Sequence, residues 1–557
     1  MKKQFFGVFI ACLLYVPCHA GNIDTFGIGA KATALGGAVA AQADDPFALY
    51  YNPAGMSWVP DRKFSMGVQV LIPDLKIENF KVKSSVQEAL GEPQDPLIKD
   101  PKSFSNDSNA LFIPCLGYTM PINDKIHAGF AVYVPWGIEL EWDSNPVNNP
   151  AAFNAYHSYL IREVFSPGIS YRVNDKLSIG MALSLGKSHD GMEKLLYISS
   201  DMGHVARQGE GLTRDLLKAV NNMVKGDAPG PDLVTTASEA AAALNASWDS
   251  LNDQNRYLAE LFTEFSNAGL ETPKQIGQSF ADTYDGVPGR DHGAKVEVEM
   301  FDHFNISYNF GLLYQHSDSI RLGLTYRSQT KEDYQGDMEV IYPDGTVWTT
   351  DAHMTYKHPD QIQGGIRYQP HDTFVIEMDM VWTQWSVMER QVLTLNEPLM
   401  VHILPGNRFI DSSKVTFDHP RHWIDTIQKR FGMEWNAKKW LTFRLGYFYD
   451  PSPVPDETMD FQWPDADKKI YSLGLGLNGS ALYLNNRSLG LDKLNIDLTF
   501  QYGKSEYKRY LGGESINLNH DYDLTHKEGQ QNYYDRHVET SASGTIWGFG
   551  FNVNYQF

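Results

Sequence analysis

The last twelve residues, IWGFGFNVNYQF (546–557), decide the fold of this chain. Apolar and aromatic side chains occupy every second position from Trp547 to Phe557, and glycine, asparagine and glutamine occupy the positions between them. Strict alternation is typical of a β-strand, because successive side chains point to opposite faces of a sheet. An apolar face opposite a face of small and polar residues indicates a strand between lipid and the lumen of a membrane barrel.

The same alternation recurs along the chain. The second face of these strands is mostly Gly, Ser and Asn, which fits a narrow, filled lumen better than the charged outer face of a soluble sandwich. The segments are 62–73, 109–121, 126–137, 158–173, 177–188, 296–316, 320–341, 347–369, 373–389, 423–436, 440–450, 468–480, 492–510 and 543–557. They predict an all-β fold, a transmembrane antiparallel β-barrel of about 14 strands.

Short and long connections alternate between these segments. Short turns at 122–125, 174–176, 317–319, 370–372 and 436–439 contrast with long polar connections on the other side. Outer-membrane barrels place their short turns in the periplasm and their long loops outside the cell. The sequence therefore predicts a multi-pass barrel in the outer membrane of a Gram-negative cell.

The first residues carry a secretory signal. Lys2 and Lys3 precede an apolar run and a small residue, Ala20, so residues 1–20 are predicted to be a signal peptide that is removed. Beyond it no stretch approaches the roughly 18 apolar residues of a spanning helix. Of the three cysteines, Cys115 alone lies outside the signal, which excludes a disulfide framework.

Charge and motifs exclude several functional classes. A net charge of -21 repels phosphate backbones, so we expect no nucleic-acid partner. The sequence contains no GxSxG, HExxH or Walker A motif, and its histidines lack the spacing of a metal pair. We therefore expect no enzyme activity, no metal and no cofactor.

Residues 21–58 precede the first strand and are predicted to form a helical plug, or hatch, inside the barrel of residues 59–557. The stretch 27–56 is rich in Gly and Ala and would make a poor soluble helix. Small residues suit a segment that must fit inside a lumen, and we expect its two aspartates to meet inward-facing arginines. The candidate plug residues are Gly36, Gly37, Asp44, Asp45, Asn52 and Pro53.

Residues 189–295 differ from the other loops, because their apolar residues recur at helical spacing. Two helices separated by a turn at 225–231 are predicted, forming a helical hairpin outside the barrel. Their apolar faces either pack on one another or offer a landing site for a lipid-like ligand. The candidates for ligand capture are Trp248, Leu258, Phe262 and Phe265.

Strand phase predicts charged side chains inside the lumen. They either pair with each other and with the plug, or one or two arginines hold a ligand carboxylate in a bidentate contact. The predicted inward charges are Arg321, Arg327, Arg367, Arg430, Arg444, Glu377, Asp379, Glu434, Asp450 and Asp497. Among them, Arg321, Arg327 and Arg367 are the candidate carboxylate ligands.

Several motifs together resemble the FadL family of outer-membrane long-chain fatty acid transporters. They are the Gly/Ala-rich start that ends in Asn52-Pro53-Ala54, the turn Pro121-Ile122-Asn123-Asp124, the segment Pro451-Ser452-Pro453-Val454-Pro455-Asp456-Glu457, and Pro464-Asp465-Ala466-Asp467. The similarity runs from the plug to Phe557. The 189–295 segment is long for this family.

The resemblance implies a fourteen-stranded barrel closed by an N-terminal hatch, with a lateral opening at a kink in the third strand. Here Pro135, Trp136 and Gly137 interrupt that strand. Proline removes a ladder donor and glycine weakens a strand, so a gate or an ordinary edge bulge is expected at this point.

The predicted function is passive uptake of long-chain fatty acids or similar hydrophobic molecules by a monomer. Loops capture the ligand, the plug rearranges, and the ligand leaves sideways into the bilayer. Uptake of aromatic or alkane hydrocarbons is the nearest alternative. An outer-membrane adhesin that displays the 189–295 segment, or a lipid hydrolase, is the alternative from another class.

Overall fold

The protein is described by a computed structural model. The described residues are 26–84, 100–196, 209–225, 233–248, 251, 253–284, 294–341, 347–397, 400–404, 408–411, 415–480, 483–484, 487–488, 491–505, 509–522 and 536–557. The predicted signal peptide, the first residues of the predicted plug and residues 226–231 of the predicted turn lie outside the described residues.

The chain is mostly β-strand. The strands are β1 (Lys63–Ser84), β2 (Lys102–Ser105), β3 (Leu111–Pro121), β4 (Ile126–Tyr133), β5 (Gly137–Glu141), β6 (His157–Arg172), β7 (Leu177–Leu195), β8 (Lys295–Ser317), β9 (Ile320–Arg327), β10 (Thr330–Ile341), β11 (Val347–His358), β12 (Gln361–His371), β13 (Phe374–Thr383), β14 (Arg390–Leu395), β15 (Met400–Leu404), β16 (Arg408–Asp411), β17 (Thr416–Pro420), β18 (Thr426–Lys438), β19 (Leu441–Asp450), β20 (Lys468–Gly479), β21 (Tyr483–Leu484), β22 (Arg487–Ser488), β23 (Leu491–Ser505), β24 (Arg509–Gly512) and β25 (Arg536–Gln556).

These strands form a closed antiparallel barrel. Each wall strand pairs with its neighbours in the sequence, and β25 pairs with β1 from Lys63 opposite Gln556 to Ser84 opposite Arg536, which closes the sheet. Some strands cross the wall in two segments, as β9 and β10 do, so the wall has 14 strands. The predicted fold class is confirmed.

The alternation has the predicted orientation. On β7, Ile179 and Met181 are each 46% exposed on the outer face, whereas Ser178 and Ser184 are buried against the lumen. The outward ion pair between Lys187 and Glu163, 2.6 Å apart, marks the outer end of this apolar band. Beyond that level the outer face is in contact with water, so its side chains need not be apolar. The alternation that identifies a strand in the sequence is lost there.

The strands consequently extend further out of the membrane than predicted. β1 continues to Ser84 instead of ending at 73, β7 continues to Leu195, and β25 begins at Arg536 instead of 543. At the other end, the predicted short turns join the strands. In one of them, Asn123 Oδ1 accepts hydrogen bonds from the backbone N–H groups of Lys125 and Ile126, the local pairing that makes asparagine favourable in tight turns.

Helices occur at the N-terminus and in the long loops. The α-helices are α1 (Ala30–Ala34), α2 (Ala48–Tyr51), α3 (Gly209–Lys225), α4 (Ala237–Asn245), α5 (Asp253–Asn267), α6 (Pro273–Tyr284) and α7 (Ile516–His520), and the 3-10 helices are Pro53–Trp58, Pro150–Phe153, Trp385–Val387 and Asp456–Thr458. None of the helices in the described residues is long and apolar enough to cross a membrane.

The described residues of the 189–295 segment form four helices, so the expected hairpin of two helices is wrong. A capping box, in which Thr236 and Glu239 satisfy each other's backbone N–H groups, starts α4 as a separate helix. Gly269, with a φ of 72°, ends the turn after α5. The apolar residues recur at helical spacing without interruption, but these local signals end one helix and begin the next.

The extracellular end of the barrel is filled by an aromatic core. Trp142, Trp385, Trp423 and Trp463 are almost fully buried there, together with Phe80. They come from β1, from the connections between strands and from the segment before β20, so the extracellular connections fold inward over the lumen. A ligand could therefore reach the lumen only through the spaces between these loops and the wall.

Candidate functional site

Residues 26–58, the N-terminal segment, lie inside the barrel and are held there by wall side chains that bind their backbone. The N–H of Ala40 donates to Asp379 Oδ2 at 2.9 Å, and the N–H of Ala41 donates to Glu377 Oε1 at 2.7 Å. On the opposite wall, the N–H of Ala30 donates to Asn552 Oδ1 at 2.6 Å. The segment is therefore fixed at both sides of the lumen.

Inward-facing glycines let the wall approach this segment backbone to backbone. A Cβ added to Gly323 would lie 2.0 Å from the carbonyl oxygen of Ala40, and one added to Gly446 would lie 2.2 Å from the nitrogen of Gly36. We call the set of wall glycines whose Cβ would lie within 3.4 Å of the N-terminal segment the glycine seat. Its members are Gly117, Gly129, Gly168, Gly180, Gly311, Gly323, Gly365, Gly432, Gly446 and Gly474.

Four of the candidate plug residues shape the segment itself. Gly36 and Gly37 follow α1 with φ angles of 63° and 70°, a left-handed turn that favours glycine. Asn52 caps the 3-10 helix that Pro53 begins, and its amide nitrogen donates to the carbonyl of Ala40 at 2.7 Å. The middle of the segment is thereby tied to the part near its C-terminal end inside the lumen.

Within the described residues, neither aspartate forms the expected salt bridge with an arginine. Asp44 forms its salt bridge with Lys31 of the same segment, at 2.7 Å, and Asp45 accepts a hydrogen bond from the N–H of Phe47 at 2.8 Å. The pairing is local because α1 and residues 44–47 lie next to each other in the lumen. Arg430 instead approaches the segment at Gly37, whose carbonyl accepts from its Nη1 at 3.4 Å.

The three candidate carboxylate ligands already bind protein groups. Arg321 lies over the ring of Trp58 at 4.5 Å and donates to Gln315, and Arg367 donates to Gln369. Arg327 donates to Gln361 and Gln363 and lies over the ring of Tyr50. All three point inward as predicted, yet each contacts wall glutamines or the N-terminal segment.

An apolar cavity of about 120 Å³ lies elsewhere, at the extracellular side of the N-terminal segment. Phe26 forms its inner end, and β1, β5 and β25 form its sides. Among the lining residues, Lys468 is the buried cation, and its Nζ is already bound by Asp465 and lies 3.5 Å from Asp450. The apolar side chains that line it are Leu71, Leu75, Ile77, Leu111, Ile138, Leu140, Ala542 and Ile546.

The wall beside this cavity is interrupted at the predicted kink. The third wall strand is broken between β4 and β5, and β3 pairs with β4 only from Leu116 opposite Val132 to Pro121 opposite His127. Within residues 100–196, all of which are described, residues 111–115 of β3 have ladder pairs with β1 alone. We call this interruption between residues 111–115 and 134–141 the wall gap.

Side chains close the wall gap where backbone pairing is missing. Ile113 and Val134 pack together with Leu71, and Phe26 of the N-terminal segment packs against them. Further out, the N–H of Asp107 donates to the carbonyl of Glu141 at 2.8 Å and joins the two edges again. The wall gap is therefore a bounded opening across which these apolar side chains pack.

Trp136, a candidate gate residue, points into the protein and not across the wall gap. Its indole lies between the imidazole of His358, with ring centroids 3.3 Å apart, and the guanidinium of Arg162, 4.8 Å away. His358 contacts Trp385 in turn, which begins the aromatic core. The kink in the third strand is thus anchored to the extracellular aromatic core.

The candidate capture residues on the long loop pack inside it. Phe262 and Phe265 are 0% and 4% exposed, and Trp248 and Leu258 pack against the same cluster. The expectation of an apolar landing site on these four residues is wrong, because they form the shared core of α3 to α6. The interpretation that the apolar faces pack on one another accounts for them.

A charged cluster holds β5 to its neighbours above the wall gap. Hydrogen bonding to Glu139 raises the pKa of His157 to about 9 against the opposing effect of burial, and Glu193 adds to this increase. Burial opposes ionisation of Glu193, but hydrogen bonds from His157, Lys295 and Tyr156 outweigh it and lower its pKa to about 2. Both groups are charged at neutral pH.

Sequence reasoning missed the cavity, Phe26, His358 and the seat of the N-terminal segment. The glycines carried a signal, because they recur at inward positions near the middle of many strands. The sequence carried no signal that His358 is the partner of Trp136, because the two residues are distant in the chain. In the described residues, no three His, Cys, Asp or Glu side chains come together as metal ligands would.

Comparison with known proteins gives a consistent assignment. The sequence profile of a family described as outer membrane protein transport protein (OMPP1/FadL/TodX) matches residues 14–557. A long-chain fatty acid transport protein of Escherichia coli O6:H1 is 27% identical over 272 residues, which are 46% of this chain and 50% of that protein. The first curated relatives are thus matched over about half of their length.

A curated relative and two solved structures match over greater lengths. Outer membrane protein P1 of Haemophilus influenzae is 20% identical over 574 residues and is covered completely. The crystal structure of a Pseudomonas aeruginosa FadL homologue superposes with a TM-score of 0.62 at 16% identity, covering 97% of this chain and 100% of that one. The Pseudomonas putida toluene transporter TodX superposes with a TM-score of 0.54 at 16% identity, covering 96% and 99%. Both superpositions support the fold.

Proposed function

Because this chain belongs to the OMPP1/FadL/TodX family of outer membrane transport proteins, we propose that it is a passive outer-membrane channel for long-chain fatty acids or similar hydrophobic molecules. The observation that carries the proposal is the apolar cavity beside a bounded gap in the wall. The channel acts as a monomer, and transport needs no cofactor, catalytic step or energy source.

The first step is capture of the ligand at the extracellular end. The cavity opens beneath the extracellular loops, and its apolar lining accepts a hydrocarbon chain. The aromatic core covers the rest of the lumen, so this side of the barrel is the proposed entrance. The 189–295 segment buries the residues expected to capture ligand, and the proposal gives it no part in this step.

The second step is movement of Phe26 and the residues that follow it, the proposed hatch. Phe26 forms the inner end of the cavity and also packs on the seal of the wall gap. A shift of this side chain would connect the two spaces. The rest of the segment remains in the glycine seat, because its backbone is bound on both sides of the lumen.

The third step is lateral exit between Ile113 and Val134. A hydrophobic ligand that leaves here enters the bilayer directly and avoids the polar lumen. Each methylene group gains about 0.8 kcal/mol on transfer from water to an apolar phase, so downhill entry follows from the ligand alone. Trp136 holds the outer edge of this opening through its stack on His358.

Uncharged hydrocarbons are the second candidate ligands. The observation in their favour is that Lys468, the buried cation of the cavity lining, is already neutralised by Asp465 and that the three candidate arginines lie elsewhere. A ligand carboxylate would have to displace an internal partner, whereas a hydrocarbon would not. Comparing uptake of oleate and toluene by the same cells distinguishes the two candidates.

The test is a covalent closure of the wall gap. Ile113→Cys and Val134→Cys are introduced together in a Cys115→Ser background and joined by a short bifunctional reagent that can be cleaved. We expect uptake of oleate, or of toluene, to fall at least tenfold on closure and to recover on cleavage. Glu163→Cys with Lys187→Cys, at paired positions of an intact ladder, is the control and should leave uptake unchanged. Uptake that survives closure of the gap contradicts lateral exit.

A further inference from the structure

Two lysines lie directly opposite each other on the outer face of the barrel. Lys331 of β10 pairs with Lys357 of β11 in the antiparallel ladder, and both side chains are exposed. Directly opposite side chains have Cβ atoms about 5 Å apart, and like charges at such positions are destabilising. The chain has 68 acidic and 47 basic residues. Two facing lysines that form no ion pair with a carboxylate are therefore unexpected and need a physical explanation.

Nearby carboxylates are bound to other groups. Asp333 is 2.6 Å from His353, and Asp360 accepts hydrogen bonds from the hydroxyl of Tyr326 and the N–H of Gln329. In the described part of the chain, neither lysine has a salt bridge. Asp333 is on the same outward face as Lys331 but is directed to His353, so no direct ion pair relieves the repulsion between the two ammonium groups.

An acidic row further out is too distant to compensate the lysines. Asp337 lies opposite both Glu299 and Asp351, and all three are exposed. Asp337 is six residues from Lys331 along β10, which is about 20 Å at about 3.3 Å per residue. The outer face therefore has a basic level and, beyond it, an acidic level.

The basic level lies at the edge of the lipid-facing surface. On β9, Leu322 and Leu324 are 40% and 49% exposed and are followed by Tyr326, whose ring and hydroxyl suit the membrane interface. On the neighbouring β8, Phe304 is 65% exposed, so apolar outer surface continues towards the level of the lysines. Ammonium groups at this height meet the head groups of the outer leaflet.

We propose that Lys331 and Lys357 form a binding site for the phosphate group of an anionic glycolipid in the outer leaflet of the membrane. A phosphate offers several acceptor oxygens and enough negative charge for two ammonium groups. It removes the cross-strand repulsion, while the acyl chains of the lipid cover the apolar surface of β8 and β9. The site lies on the outer wall and is separate from the transport route.

Binding of lipid A that carries both phosphates, measured on the full-length protein by native mass spectrometry, tests this site. The double variant Lys331→Gln, Lys357→Gln should bind at least fivefold less lipid A than the unaltered protein, and Lys331→Arg with Lys357→Arg should retain binding. Lys187→Gln is the matched control, because Lys187 is an equally outward lysine that is paired with Glu163. Heat-dependent migration in gel electrophoresis verifies that each barrel is folded.

Four results would overturn the proposal. The double glutamine variant binds lipid A within twofold of the unaltered protein, or Lys187→Gln reduces binding to the same extent. Lipid A without phosphates binds the unaltered protein as well as the phosphorylated form does. A soluble acidic peptide displaces lipid A at equal concentration, which would assign the lysines to a protein partner.

Discussion

The indole of Trp136 lies on the imidazole of His358, with ring centroids 3.3 Å apart and ring planes 12° apart. Trp136 belongs to the break in the third wall strand, and His358 ends β11 on a distant part of the wall. The contact therefore couples the edge of the wall gap to the extracellular aromatic core.

Removing this stack should loosen the wall gap. His358→Ala leaves Trp136 without its partner, so we expect amide exchange in residues 134–137 to accelerate about tenfold and uptake of a hydrophobic dye to increase. His358→Phe is the control: neither ring nitrogen of His358 has a hydrogen-bond partner in the described part of the chain, so a phenyl ring preserves the packing. Equal exchange in the two variants would show that the stack does not hold the gap.

The glycine seat predicts a sharp difference between two neighbouring strands. Gly323→Ala places a Cβ 2.0 Å from the carbonyl oxygen of Ala40 and must displace the N-terminal segment. We expect a leaky barrel with several-fold greater sensitivity to a large antibiotic. Gly364→Ala adds a Cβ that lies 3.9 Å from Leu324, and it should leave permeability unchanged. A tight Gly323→Ala barrel would mean that the segment adapts without opening a path.

The carboxylates that bind Ala40 and Ala41 should control the mobility of the segment. Replacing Glu377 and Asp379 together with Ala leaves two buried N–H groups without acceptors, at a cost of about 1–3 kcal/mol each. Amide exchange at residues 40 and 41 should therefore accelerate by at least tenfold. Glu377→Gln keeps a carbonyl acceptor and should behave as the unaltered protein does. Unchanged exchange in the double variant would assign the stability of the segment to the glycine seat alone.

Ligand binding should depend on the cavity and not on the three candidate arginines. Ala542→Phe fills the apolar cavity and should lower the affinity for oleate at least tenfold, as measured by fluorescent-ligand displacement. Arg321→Gln, Arg327→Gln and Arg367→Gln should each change affinity less than twofold, because these guanidinium groups lie outside the cavity lining. A larger loss in any arginine variant would restore the carboxylate-anchor hypothesis.

The hydrogen bond of His157 predicts a pH dependence at the outer edge of the wall gap. The pKa of His157 is raised from 6.5 to about 9 in the folded protein, so its stabilising charge is complete below about pH 6.5 and is lost as pH rises through 9. Exchange of Gly137–Glu141 amides, corrected for intrinsic pH effects, should accelerate across this range. The His157→Gln variant should show no such change. An identical pH profile in both proteins would exclude His157 as its source.

The barrel was predictable because lipid imposes a period of two on every wall strand. Ile179 and Met181 had to be apolar, and Ser178 and Ser184 face the lumen, so the pattern alone indicated the wall. Outside the membrane this constraint ends, and the extension of β1 to Ser84 left no comparable pattern.

The candidate site was less predictable, because strand phase gives direction but not partners. It placed Arg327 inside the lumen correctly, but its binding to Gln361 and Gln363 depends on distances between strands. The break at Pro135 was visible in the sequence, whereas the direction of the Trp136 indole depends on His358. Helix spacing marked Phe262 as apolar without showing that other helices cover it.

The glycine seat has a consequence for assembly. The N-terminal segment touches the wall so closely that its carbonyl and N–H groups replace the missing side chains of the wall, and threading it into a finished cylinder would require the wall to expand. We therefore expect the segment to be in place before the β1–β25 seam closes, so that the cylinder is completed around it.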